Sequence, residues 1–469
     1  MHPFFGSGAH RAHANVPSAP APPAAARTIR FTNCRLLRGH KLREGEDLWV
    51  RGGIVVDPKA LFWDGAQADE TINCENRIIA PGYIDMQLNG GFGIDFSTAG
   101  PQLGKGVRQV AARLLAHGVT AFLPTVITSA ADSYRAILPD LVPVAGSADG
   151  AAVLGVHLEG PFISPLKTGC HPHEHVIAPD GKPEALRRAC GEHLAHVRLV
   201  TLAPELPGAD MLIAELVSKG IVVSAGHSAA SAAQLEKARA AGVRMCTHLF
   251  NAMLPFHSEE PGIIGVLGSI AQPAPYFGLI ADGVHVHPAS LKIAATARPD
   301  SVVLVSDAIV AMGLPKGNYA FGDVRIDVVG DDTAYRHGTR TLAGAVVPLD
   351  ECVRRFRRLC GTSIVRALEA ASLHPACALG IESSKGRLDL GCDADFVMLD
   401  DELRVVETYI AGACVWSPHP DGRGAVQPPN RRQPKGADQA CSATPDAAGA
   451  ASVAAVTKSS ARSSKRKHQ

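Results

Sequence analysis

The chain is predicted to be an α/β protein, a (β/α)8 TIM-like barrel carrying a small β-sandwich domain built from its N- and C-terminal flanking segments. Three observations predict this. Eight short apolar, β-branched runs recur along the middle of the chain, as the buried strands of a parallel sheet do. Helical patterns lie between them, giving the strand–helix alternation of a barrel. Two β-rich flanks, each too short for a core of its own, bracket this middle and can complete one another.

In chain order, residues 1–26 are low-complexity sequence rich in Pro, Ala and His and are expected to be a disordered tail. Residues 27–79 are read as the first part of the sandwich, with strand-like runs at Ile29–Leu37, Asp47–Val56 and Thr71–Ile79. Residues 80–385 are assigned to the barrel. Its runs are Ile78–Leu88 (which straddles the boundary), Val119–Ile127, Val153–Leu158, Val197–Leu202, Ile221–Ala225, Val243–Thr247, Tyr276–Ala281 and Val302–Ser306. Gly106–His117, Met211–Lys219 and Ala229–Ala241 read as helices between them. Residues 386–417 are the second part of the sandwich, with Ala394–Asp400, Val405–Ile410 and, after a turn at Ala411–Gly412, Cys414–Trp416. Residues 418–469 are expected to be a second disordered tail. Its basic end, Lys465, Arg466 and Lys467, reads as solvated, with a nuclear address as the alternative.

An open doubly wound sheet is the competing fold, but the Gly-rich phosphate fingerprint of its nucleotide-binding form is absent after the first strand. Lys+Arg 46 against Asp+Glu 45 gives a formal net charge of +1. Neither nucleic acid nor a membrane surface is therefore expected as the main partner. The 11 cysteines are scattered, odd in number and free of any C-x-x-C pair, which reads as reduced thiols in a reducing compartment. With no long apolar span and no apolar signal core, a cytoplasmic location is the expectation.

Active sites of such barrels sit at the C-terminal ends of the strands. Here the runs end in polar groups: His157 and Glu159, then His227 and Ser228, Thr247, His248 and Asn251, Asp282 and His285, and Ser306 and Asp307. Singly, each has a structural explanation, as a hydrogen-bonded histidine or a carboxylate capping a helix. Together, Glu159, His227 and His248 would converge if their strands point inward at one level. One carboxylate and two imidazoles leave an open position on a divalent metal, and Asp307 would face it from the last strand. On the residues alone, a metal centre and a coincidence of structural polar groups both stand. A divalent metal lowers the pKa of its water to roughly 7. Asp307 could then take the proton as that water attacks an acyl carbon and deliver it to the leaving amine, help worth about 10²–10⁴ in rate.

Several stretches carry a family resemblance. They are Ala80-Pro-Gly-Tyr-Ile-Asp-Met-Gln-Leu-Asn-Gly90, His157-Leu-Glu-Gly-Pro-Phe162, Ser224-Ala-Gly-His-Ser228, Thr247-His-Leu-Phe-Asn-Ala-Met253, Ala281-Asp-Gly-Val-His285 and Val305-Ser-Asp-Ala308. In this order, the sequence from about Arg27 to Trp416 resembles the N-acetylglucosamine-6-phosphate deacetylases of the amidohydrolase superfamily. Animal-type members are the most similar, through Phe31-Thr-Asn-Cys34 and Leu48-Trp-Val-Arg-Gly-Gly53. The resemblance implies hydrolysis of the N-acetyl group of N-acetylglucosamine 6-phosphate. It implies Glu159, His227 and His248 as metal ligands and Asp307 as the catalytic acid and base. It implies His171, beside Cys170, at the acetyl carbonyl, and Asn251, Ala252 and His285, with Asp282, around the sugar phosphate. Leu342, Ala343 and Gly344 match a loop lining the sugar, and a homodimer is the usual assembly.

Many amidohydrolases carry His-x-His on the first strand for a second metal, where this chain has Gln87-Leu88-Asn89. Neutral amides are poor ligands for a borderline metal, so one divalent ion is expected: Zn2+ by default, with Fe, Co and Ni also compatible. The chain departs from the family at Glu259, where an Arg normally contacts the phosphate, and at Ala345, where a Ser is common. Glu259 motivates a competing reading, a deacetylase of an unphosphorylated or different N-acetyl sugar. A non-catalytic sugar-binding protein on the same barrel is the third reading, although Asp307 and all three candidate ligands are present.

Overall fold

Eight parallel strands follow one another round a barrel in the computed structural model, which describes residues 27–63, 67–98, 100–270, 272–330 and 332–418. They are β1 (Tyr83–Leu88), β2 (Val119–Ile127), β3 (Val156–Glu159), β4 (Val197–Leu202), β5 (Val222–Ala225), β6 (Val243–Cys246), β7 (Tyr276–Ile280) and β8 (Val302–Val305). Each pairs in parallel with the next. The ring closes just beyond the strands, where Leu88 bridges Ala308 and the Asp307 N–H donates to the Gln87 carbonyl at 2.9 Å. The expected tails lie outside the described residues, apart from Pro418.

Outward side chains such as Phe122, Leu158, Val200, Val223, Phe277 and Leu304 join the main core under the helices. Helix Ala209–Ser218 shows why the pattern holds: it buries Ala209, Leu212, Ile213 and Leu216, the i, i+3, i+4, i+7 stripe of an amphipathic helix. The helix expected from Ala229 starts only at Ala232, because the Ser231 side chain caps it and Gln234 returns the bond. The helix expected at Gly106–His117 spans Leu103–Leu114 and then tightens into a 3-10 turn through His117.

The two flanks build the sandwich. One sheet has the order Ile54–Val55, Leu48–Arg51, Thr28–Thr32, Glu70–Asn73. The other runs Ala413–Trp416, Val405–Ile410, Phe396–Leu399, Ile78–Pro81, Arg35–Arg38, Lys41–Glu44, so it interleaves both flanks. Between the sheets, the Phe31 ring meets those of Phe396 and Tyr409 edge-on at 5.0 and 5.3 Å, a favoured aromatic geometry.

Several single runs of the sequence divide between two strands, among them Asp47–Val56 (Leu48–Arg51 and Ile54–Val55) and Thr71–Ile79 (Glu70–Asn73 and Ile78–Pro81). The run Ile29–Leu37 breaks at Asn33, whose φ of 51° is left-handed, and its halves enter different sheets. The run Ile78–Leu88 breaks at Gly82: Ile78–Pro81 belongs to the sandwich and only Tyr83–Leu88 to the barrel. A Cβ on Gly82 would fall 2.2 Å from Thr120 Oγ1, so only glycine lets the chain pass between the two sheets here. The reading also has no counterpart for a three-stranded antiparallel sheet, Gly317–Phe321, Val324–Val328 and Ala334–Arg336. Its Phe321, Ile326 and Val328 pack with Ile309 and Ala343.

Candidate active site

Strand alternation sends His157 and Glu159 of β3 into the barrel, while Val156 and Leu158 join the outer core. His227, His248 and Asp307 each lie two residues past the ends of β5, β6 and β8, at φ of 47°, 27° and 47°. Left-handed backbone is uncommon for residues other than glycine and costs about 1–3 kcal/mol each. At these three positions the chain turns sharply.

Glu159 Oε1 lies 3.0 Å from both His227 Nε2 and His248 Nε2, and the two nitrogens lie 3.0 Å from each other. All three residues are buried. His227 Nδ1 lies 2.9 Å from the Lys167 carbonyl oxygen, so Nδ1 carries the proton and Nε2 turns a lone pair inward. Three electron-rich atoms packed this closely repel one another unless a cation or proton lies among them. Ligands of a tetrahedral divalent ion with bonds of about 2.0–2.1 Å stand roughly 3.3 Å apart, so the donor set fits such an ion. Among the described residues, no other group of three His, Cys, Asp or Glu gathers its donor atoms in this way.

Asp307 sits beside this cluster. Asn89 Nδ2 donates to its Oδ1 at 2.8 Å, and Gln87 Nε2 lies 3.2 Å from the same oxygen and 3.1 Å from Glu159 Oε1. Gln87 thus bridges Glu159 and Asp307, and Asn89 holds Asp307 alone. Burial, then the charge of Glu159, pushes the Asp307 carboxyl up to about 6. Burial also opposes the charge of Glu159, but the hydrogen bonds and charges of His227 and His248 outweigh it and hold that carboxyl well below the usual range. No helix starts at Asp307, so the helix-cap explanation does not apply to it.

His171 is brought to the same cluster. Its ring centroid lies 4.3 Å from that of His227, and its Nε2 lies 4.0 Å from Glu159 Oε2. Its Nδ1 accepts from the Thr128 N–H at 3.4 Å and lies 3.0 Å from Thr128 Oγ1, which leaves the proton on Nε2. Burial, with His227 next, lowers its pKa to about 3, and burial lowers that of His157 to about 4. Cys170 Sγ lies 3.8 Å from the Ala343 carbonyl oxygen. The Leu342–Gly344 loop is held beside Asp307, since the Ala345 N–H donates to the Asp307 carbonyl at 3.0 Å.

His285 Nδ1 lies 2.6 Å from Asp282 Oδ2, and Asp282 Oδ1 accepts the N–H groups of Val284 and His285 at 2.8 Å each. Asn251 Nδ2 donates to the His285 carbonyl at 3.1 Å, while Asn251 Oδ1 is buried with no partner. Ala252 adjoins, with a φ of 49°. Glu259 is exposed, and only its backbone N–H is engaged, by His257 Nδ1 at 3.3 Å.

The amidohydrolase family profile matches residues 78–423. The human N-acetylglucosamine-6-phosphate deacetylase is 51% identical over 397 residues, which cover 84% of this chain and 97% of that protein. The chain belongs to this deacetylase family. A solved mutant of the Mycobacterium smegmatis deacetylase, in complex with N-acetyl-D-glucosamine-6-phosphate, is 30% identical with a TM-score of 0.72. It is covered completely by 84% of this chain. The Pasteurella multocida deacetylase is 27% identical with a TM-score of 0.73, and 82% of this chain covers 99% of it. The family is metal-dependent, and the Glu159, His227 and His248 cluster offers donors for one ion. These relatives give no support to the unphosphorylated-sugar or non-catalytic readings.

The sequence reading missed some groups. Lys167 orients His227 through its backbone carbonyl, which no side-chain pattern reveals. Thr128, which fixes the His171 tautomer, follows the end of β2 directly and was legible as another polar strand end. Gln87 and Asn89 were read only as absent metal ligands, not as partners of Asp307.

Proposed function

We propose that this chain hydrolyses N-acetyl-D-glucosamine 6-phosphate to D-glucosamine 6-phosphate and acetate. The observation that carries this reading is the meeting of Glu159, His227 and His248 beside Asp307 in a chain of this family. In this reading those three residues hold one divalent ion, with zinc expected and iron, cobalt and nickel compatible with the donors. Such an ion supplies Lewis-acid chemistry, making water acidic enough to attack an amide at neutral pH.

Asp307 takes the proton of the attacking water and passes it to the leaving nitrogen, so the amine departs neutral. Its partners Asn89 and Gln87 engage Oδ1, leaving Oδ2 for that proton. His171, with its proton on Nε2, donates to the acetyl oxygen as negative charge develops there. Asn251, Ala252 and His285 take the phosphate, with Asp282 fixing the His285 ring. Cys170, Leu342, Ala343 and Gly344 line the sugar.

A homodimer is part of the proposal. Phe256, Ile270, Val284 and Ile293 are exposed apolar side chains on and after the loops that follow β6 and β7, and a second subunit would cover such side chains if it docks there. No described helix is long and apolar enough to cross a membrane. We assign the enzyme to the cytoplasm, whose reducing conditions suit the free thiols of its described cysteines. The test is acetate release from N-acetylglucosamine 6-phosphate, matched by an equal yield of free amine; absence of both from metal-loaded protein contradicts the reading.

Glu259 adds a quantitative test. An exposed carboxylate near the phosphate repels it weakly, because solvent and salt screen the pair. Glu259→Arg is expected to lower KM for the phosphorylated sugar by about two- to fivefold, more at low salt than at high salt. It should leave the unphosphorylated sugar unaffected. Steady-state kinetics on both sugars at two ionic strengths checks this, and an unchanged KM shows that Glu259 does not face the phosphate.

A further inference from the structure

Beneath the three candidate ligands, one level of the barrel interior is polar. Thr125, His157, Thr201, Ser224 and Thr247 are all buried and are joined side chain to side chain across five adjacent strand positions. Thr125 Oγ1 lies 3.2 Å from His157 Nδ1, and His157 Nε2 lies 2.8 Å from Thr201 Oγ1. Thr201 Oγ1 lies 2.7 Å from Thr247 Oγ1, which lies 2.5 Å from Ser224 Oγ. At the near end, Thr125 Oγ1 accepts the Leu88 N–H of β1 at 3.0 Å. The links can be satisfied by donation running from Thr125 through His157, Thr201 and Thr247 to Ser224, or in reverse, with the Thr125 hydroxyl then donating to the Leu123 carbonyl at 3.4 Å.

The belt lies between two different layers. Two residues earlier on their strands, Leu123, Leu199 and Met245 belong to the apolar interior of the barrel. Above it, Glu159 follows His157 by two residues, His227 follows Ser224 by three and His248 follows Thr247 directly. Three belt members therefore sit on the strands that present the ligands. Thr125 and Thr201 sit on β2 and β4, which present none. The belt also touches the chain carrying His227, since a Cβ on Gly226 would fall 2.6 Å from Thr247 Cβ and 2.8 Å from Thr201 Cγ2.

We propose that this hydrogen-bonded belt sets the register of β3, β5 and β6, so that Glu159, His227 and His248 meet at metal-binding distance. Thr201 and His157 act in it as positioning residues. The proposal rests on the reading of those three residues as the metal ligands. Apolar side chains tolerate small slides between strands. A hydrogen bond weakens steeply with misalignment, and a buried hydroxyl left unpaired is penalised. A continuous chain of such bonds therefore favours one register over its neighbours. A metal site is sensitive to small ligand displacements, so the effect of the belt should be read in metal affinity.

The test compares Thr201→Val, which removes the hydroxyl at nearly constant volume, with Thr201→Ser, which keeps it. Zinc affinity of the metal-free protein is measured by competition with a chromogenic chelator, alongside its melting temperature, with His227→Ala as the ligand control. Thr201→Val is expected to bind zinc about tenfold more weakly, Thr201→Ser within about twofold of the parent, and His227→Ala more weakly than either. Parental affinity in Thr201→Val, with loss in His227→Ala, overturns the belt and leaves the ligand assignment standing. Parental affinity in His227→Ala overturns that assignment instead. Equal weakening in the Val and Ser variants overturns the belt as well, because packing alone would then be responsible. If Thr201→Val does not fold, Ser224→Ala reads the far end of the belt: weaker zinc binding supports the proposal and parental affinity overturns it.

Discussion

Replacing His227 or His248 by Ala is expected to remove the metal and the activity together. Each imidazole offers Nε2 to the same point, 3.0 Å from the other and from Glu159 Oε1. Two remaining ligands hold a divalent ion poorly. The loss of affinity should exceed the roughly 10–100-fold that follows removal of an outer partner. Folding should survive, because the apolar core lies elsewhere, among residues such as Phe122, Leu158 and Phe277. Metal analysis of the purified variants, with circular dichroism to confirm the fold, checks this. Full occupancy in both variants shows the ligands to be misassigned.

Asp307→Asn is expected to behave differently. It leaves Glu159, His227 and His248 in place and should retain the ion and the substrate, yet lose about 10²–10⁴ or more in turnover, because an amide cannot carry the proton. The wild-type pH profile bears on the same group. Burial and the charge of Glu159 raise the Asp307 pKa to about 6. The base must be deprotonated to accept a proton, so kcat/KM should fall as the pH drops through that region. A cation in the site would move the limb to lower pH by favouring the carboxylate. In Asp307→Asn this acid limb should vanish along with most of the rate. Wild-type turnover in a folded Asn variant, with metal bound, removes Asp307 from the mechanism.

The barrel strands were legible because strands buried on both faces leave continuous apolar runs, and Val119–Ile127 and Val197–Leu202 have the bounds read from the sequence, as does Val405–Ile410 of the sandwich. Breaks inside such runs were not legible. Asn33 and Gly82 each divide a stretch read as one strand, and the approach of Thr120 explains the second. The sheet spanning Gly317–Arg336 also escaped. Its burial alternates with exposed positions such as Asn318 and Arg325, so it leaves no continuous apolar run. At the site, the placing of polar residues at strand ends pointed to Glu159, His227, His248 and Asp307. The left-handed turns at His227, His248 and Asp307, and the Gln87 bridge between Glu159 and Asp307, depend on tertiary contacts that one-dimensional spacing does not encode.

The most direct test of the account is the deacetylation rate of N-acetylglucosamine 6-phosphate against that of N-acetylglucosamine, measured side by side on zinc-loaded protein. A site with groups set to receive the phosphate should reject the sugar lacking it, since those groups are then left without partners. Acetate release is expected from both at high substrate concentration, with kcat/KM favouring the phosphorylated sugar by about 10² or more. Equal values, or a preference for the unphosphorylated sugar, would contradict the account.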